Sequence, residues 1–160
     1  MSEIISVNES TSLLGLVSTV LVDGAQQFVA KDHLIVANVV DTGGNFNRYF
    51  LDNVEEGVDS TTIAVHRLMK QSLHRSIIKE LGDKTEFFLV HFFALLKQQA
   101  HGESGELLVN GFANFAYIRP GRDNFMVVSA AWRGDGWTME ATWVEYPYEW
   151  RHGLHVLSRA

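Results

Sequence analysis

The chain has 160 residues, of which 46% are hydrophobic and 20% charged, with 2 Pro and no Cys. That composition excludes a disordered or collagenous protein, and the missing thiols exclude cysteine catalysis, disulfides and thiolate metal sites. The formal charge is −6, no segment is basic enough to follow a phosphate backbone, and no apolar run reaches the roughly 20 residues that span a bilayer. No nucleic-acid or membrane partner is therefore expected. The length predicts one domain over residues 1–160. The start Met1-Ser2-Glu3-Ile4 lacks the basic opening of a signal peptide, so a cytoplasmic location is expected, and the sequon Asn8-Glu9-Ser10 carries no weight there.

In chain order, residues 10–31 read as a helix. Leu13, Val17, Val20, Leu21, Ala25, Phe28 and Val29 recur at helical spacing. A hairpin turning at Asp23-Gly24 is the rival, favoured by Val17, Thr19, Val20 and Val22. His33 to Val40 reads as a strand from its β-branched content, Asp41 to Asn45 as a turn, and Asn47 to Leu51 as the returning strand. A second helix is expected from Asp59 or Ser60 to Leu81, with Gly82 ending it. Val65, Met69, Leu73, Ile77 and Leu81 form its apolar ridge, with Ser72 and Ser76 beside it. A third helix spans Glu86 to Gln99. Its segment FFLVHFFALL is apolar on every side, which predicts burial within the domain or between subunits.

The last third changes to strand patterning. Gly105–Arg119, Asn124–Arg133 and Trp137–Tyr146 read as an antiparallel meander, with turns at Pro120-Gly121-Arg122-Asp123 and Gly134-Asp135-Gly136. Asn110-Gly111 reads as a tight turn or bulge in the first of these. Trp137, Met139, Ala141 and Trp143 share one face of the last strand, opposite Thr138, Glu140 and Thr142. Gly153–Ser158 is a candidate short closing strand. The fold class expected is α+β, an antiparallel sheet of hairpin plus C-terminal meander with two to three helices packed on one face. This order resembles, in architecture alone, the nuclear-transport-factor-like cone, in which helices close one side of a curved sheet around a pocket.

Asp41-Thr42-Gly43 after the apolar run Leu34–Val40 resembles the active-site turn of retroviral-type aspartic proteases, which pair one such Asp from each subunit. Gly121-Arg122-Asp123 partly matches a second segment of that family. Gly44, Arg119 and Pro120 depart from its pattern, and turn composition accounts for the same residues. The 7 His show no metal-ligand spacing, and neither a serine-hydrolase elbow nor a nucleotide-binding glycine pattern occurs. Gly82-Asp83-Lys84-Thr85 has Asp83 interrupting the Gly-Lys of a phosphate loop. No metal and no cofactor are expected.

His91 is the polar residue inside FFLVHFFALL, and a buried imidazole needs partners. A core histidine bonded to a backbone carbonyl or hydroxyl is one reading. The other makes it a general base in an apolar pocket, with Glu140 and Tyr117 as polar pocket groups. Trp143, Tyr146, Tyr148 and Trp150, with Arg151 adjoining, concentrate interface-favouring residues around Pro147, which cannot sit in a central strand. They read either as an interface or as a lid on the core. The leading functional expectation is a self-associating binding module, a homodimer without catalysis. The alternative is an enzyme or binding protein whose pocket between sheet and helices takes a small apolar ligand.

Overall fold

The structure, a computed structural model, describes residues 12–147 and 149–160. The Met1–Ile4 start, the Asn8–Ser10 sequon and Tyr148 lie outside the described residues.

Residues 10–31 do not form a helix where they are described. β1 (Leu14–Val22) and β2 (Ala25–Val29) are strands, and their partners are β4 (Val54–Val58) and β5 (Thr61–Leu68). β1 pairs antiparallel with β5, Val22 opposite Thr61, and β2 pairs antiparallel with β4, Ala25 opposite Val58. The register thus carries on unbroken from one pair to the next, making a bent two-stranded ribbon. Its bend is at Gly24, where a Cβ would lie 1.9 Å from the Val58 carbonyl oxygen, so only glycine allows the two chains so close. Ser60 Oγ accepts the Gly24 N–H at 3.1 Å.

Nor is His33–Val40 a strand along its length. Asn38 adopts φ 57°, a left-handed conformation that Asn tolerates, and its amide donates to the carbonyls of Ala100 (2.8 Å) and Asp135 (3.0 Å). The chain turns there, and only β3 (Val39–Thr42) is extended. Asp41 and Thr42 therefore end a strand rather than make a turn. The expected returning strand at Asn47–Leu51 is instead largely the short helix α1 (Gly44–Tyr49), followed by Phe50. Phe46 and Phe50, one helical turn apart, are both buried.

The long helix expected from Asp59 to Leu81 divides in two. Thr61–Leu68 is β5, and α2 covers only His74–Leu81, closed by Gly82 at φ 61°. The ridge divides with it. Ile77 and Leu81 are buried, Leu73 is half-buried at the helix start, and Met69 is exposed. α3 (Leu89–Gln98) lies inside the expected third helix, and seven of its ten residues are buried. Glu55 of β4 accepts the Leu89 and Val90 N–H groups at 2.7 and 2.9 Å, capping the orphan donors of the helix start.

The meander holds as β6 (Asn114–Ile118), β7 (Met126–Trp132) and β8 (Trp137–Trp143), paired antiparallel in sequence order; residues 105–113 are not strand. β9 (His155–Arg159) closes the chain at nearly the predicted place. It inserts between β5, antiparallel, and β6, parallel. The seven-stranded sheet runs β1-β5-β9-β6-β7-β8-β3, and β3 is also parallel to β8. The fold is α+β, but the main sheet is mixed, because β9 and β3 enter beside strands that already run in their direction.

The helices also occupy both faces. Ala116, Ile118, Met126, Val128, Trp137 and Met139 pack with α1 and α3. The alternate residues Phe115, Tyr117, Val127 and Val156 pack with Ile77 and Leu81 of α2. Strand periodicity thus sends successive side chains into two separate cores, and β6 between them is buried at every position. Trp137, Met139 and Ala141 are buried and Glu140 is exposed, as the alternation predicts.

Candidate functional site

His91, Glu140 and Tyr117 do not converge. His91 lies on α3, on one side of the sheet, while Tyr117 points to the other side with α2. Glu140 shares the sheet face of Tyr117 but is exposed, its carboxylate stem lying over Gly43. His91 Nε2–H donates to the Asp59 carbonyl at 2.9 Å, the core-histidine arrangement. Its Nδ1 is one of two buried side-chain polar atoms without a partner among the described residues, the other being His155 Nε2. Burial lowers the His91 pKa, against the Asp59 bond, which raises it.

Tyr117 belongs to a different cluster, whose members come from three elements. His74 at the start of α2 donates from Nδ1–H to Tyr117 Oη at 2.9 Å, and Trp150 Nε1–H donates to His74 Nε2. That pair of bonds requires the neutral imidazole with its proton on Nδ1. Burial agrees: His74 is 1% exposed and its pKa is lowered to about 4, while burial pushes the Tyr117 phenol well above its usual range. Phe115 stacks on Trp150 with centroids 4.7 Å apart and meets His74 edge-on. Because both His74 nitrogens are already bonded, neither is open to take a substrate proton. The cluster pins α2, β6 and the C-terminal segment together. Sequence reasoning named Tyr117 and Trp150 but missed His74, whose place opposite them depends on α2 crossing the far face of the sheet.

The expected interface residues separate into inward and outward groups. Trp150 is half-buried in this cluster, and its backbone pairs with Ser72. Trp143 packs edge-on against Tyr49, with centroids 5.1 Å apart. Tyr146 is exposed and Arg151 lies over the Phe112 ring, 4.5 Å from its centroid. Tyr148 lies outside the described residues. A cleft of about 270 Å³ opens beside His74, between Leu73 and Ile78 on one side and Val144 to Pro147 on the other.

The other notable surface is β1. It is an edge strand of nine residues, LGLVSTVLV, and no charged residue occurs between Ser10 and Val22. Leu16, Val17 and Leu21 are 64%, 49% and 68% exposed. The register slips between Leu16 and Ser18, so Val17 is the extra residue of a bulge. Among the described residues, no strand pairs with the outer side of β1. Also among the described residues, no three of His, Asp and Glu lie close enough to hold a metal ion, and no helix is long and apolar enough to cross a membrane. No family model, curated protein or solved structure matches this chain.

Proposed function

We propose that the chain is a non-catalytic binding module that forms a symmetric dimer by pairing β1 with β1 of a second copy. The observation that carries this reading is the long, uncharged edge strand. Edge strands expose unpaired N–H and C=O groups, and proteins usually blunt them with charge, Pro, shortness or a bulge. β1 has the bulge alone. A net charge of −6 favours repulsion between copies, and the stretch from Ser10 to Val22 carries no charge that would add to it. Antiparallel pairing about a two-fold axis is self-complementary and closes the assembly at two. The separation of His91 from Tyr117 and Glu140 by the sheet supports the non-catalytic part, since the titratable residues expected to line one pocket do not converge.

The burial of α3 inside its own chain removes that helix as a reason for association, and the inward packing of Trp143 and Trp150 shifts the proposed contact from the aromatic strip to β1. Light scattering over a dilution series tests it. The expected mass rises from 18.0 kDa toward twice that value at high micromolar concentration, and Thr19→Lys holds it at 18.0 kDa. A mass that stays at 18.0 kDa for the unaltered protein overturns self-association. A dimer that survives Thr19→Lys overturns the assignment to β1.

A further inference from the structure

On the α3 side of the ribbon is a groove of about 390 Å³, within the size range of small-molecule sites. One wall is the bend of the ribbon and β2, with Val22, Ala25 and Phe28; the other is α3, with Val90 and Ala94. Two cation-capable side chains stand at one end. Lys97 Nζ donates to His33 Nδ1 at 2.9 Å, and the His33 ring stacks on Phe28 with centroids 4.5 Å apart. To accept that bond, His33 must be neutral, with its proton on Nε2. The ammonium therefore meets a neutral imidazole. Neither ion pair found among the described residues involves Lys97.

We infer that this groove binds a small carboxylic acid with an apolar body, its carboxylate on Lys97 and His33 and its chain against Phe28, Ala94 and Val90. The charge pattern favours an anion of this kind over a neutral apolar molecule. The Lys97 ammonium has no carboxylate partner among the described residues, and partial burial beside the apolar walls lowers its pKa. A carboxylate restores a charge-assisted hydrogen bond there, and the walls bury the ligand's apolar surface. Gln98, also lining the groove, adds an amide donor. Two carboxylates bear on the polarity. Asp32 lies near His33 and favours its protonated form, and Asp23 lines the groove. The Lys97–His33 hydrogen bond marks the cationic end of the groove, and the acid is oriented with its anionic head there.

Titrating the full chain with octanoate, followed by amide chemical shifts, tests the assignment. Saturable shifts are expected at Ala25, Ala94 and Gln98. Octanamide, which has the same chain without the charge, should bind at least about tenfold more weakly, and Lys97→Gln should weaken octanoate by a similar factor. Lys97 is exposed, so this variant keeps the fold; Ala94→Phe fills the groove as a second check and should abolish the shifts. Shifts scattered over the surface without saturation would overturn the inference. So would equal binding of octanoate and octanamide, or octanoate binding unchanged in Lys97→Gln. Leu21 and Val22 of β1 also line the groove, so the titrations are made at one protein concentration, which holds the state of β1 constant.

Discussion

β6, five residues long, is buried at every position, with α3 over one face and α2 over the other; β1, nine residues long, shows Leu16, Val17 and Leu21 to solvent. Both belong to one sheet. β6 has strands on both sides, two apolar cores and the His74–Tyr117–Trp150 hydrogen bonds. β1 has β5 on one side and, among the described residues, no strand on the other. The contrast assigns different work to the two strands. On the proposed reading, the centre holds the fold together and the edge offers its backbone hydrogen-bonding groups to a second copy.

The largest effect should follow from damage at the centre. Phe115 is fully buried between Trp150, Tyr117 and His74. Phe115→Ala should cost about 3–5 kcal/mol of stability, measured by denaturant unfolding, through lost transfer energy and a residual cavity. A cost below about 1 kcal/mol would show that the far core is loosely packed.

Acid should act on the same place. His74 ionises at about 4 when folded and near 6.5 when unfolded, so the unfolded chain binds a proton first. Stability from this group is complete above pH 6.5 and declines as pH falls toward 4, by roughly 3 kcal/mol in all. Burial lowers the pKa of His33, His66, His91 and His155 as well, which adds loss of the same sign. Unfolding free energy measured from pH 7 to 4 should fall steadily, and the slope should lessen in His74→Gln. A flat profile would mean that His74 is already open to protons in the native state.

The edge should show the reverse behaviour. Thr19 is exposed on β1, so Thr19→Lys should change unfolding free energy by no more than about 0.5 kcal/mol while abolishing the dimer. A variant that lost both stability and association would erase the distinction between the two strands.

Legibility in the sequence followed the same division. The meander was readable because Trp137 to Ala141 alternate over one covered face, and FFLVHFFALL was readable because all-round apolarity implies burial. β1 was not, for a physical reason. An edge strand with little of its surface covered has weak alternation, and the bulge at Val17 shifts the phase by one residue, leaving apolar spacings that mimic a helix. The ridge Val65-Met69-Leu73-Ile77-Leu81 joined two true helix positions, Ile77 and Leu81, to the strand residue Val65. Leu34 to Val36 carried strand composition, but the left-handed Asn38 and its bonds to Ala100 and Asp135 outweighed it and left Ile35 95% exposed. Of the polar groups, His91 was recognisable by its setting. His74 and Glu55 were not, because their partners are set by elements distant in sequence.

Hydrogen exchange at the backbone amides of β1, measured at high and at low protein concentration, tests the central claim most directly. Self-pairing predicts that alternate β1 amides, those turned away from β5, are protected in the concentrated sample and exchange freely on dilution, while β6 amides stay protected in both. Outward β1 amides that exchange at the same rate at both concentrations would contradict it; if they are slow in both, the edge is occupied by a strand from elsewhere in the same chain.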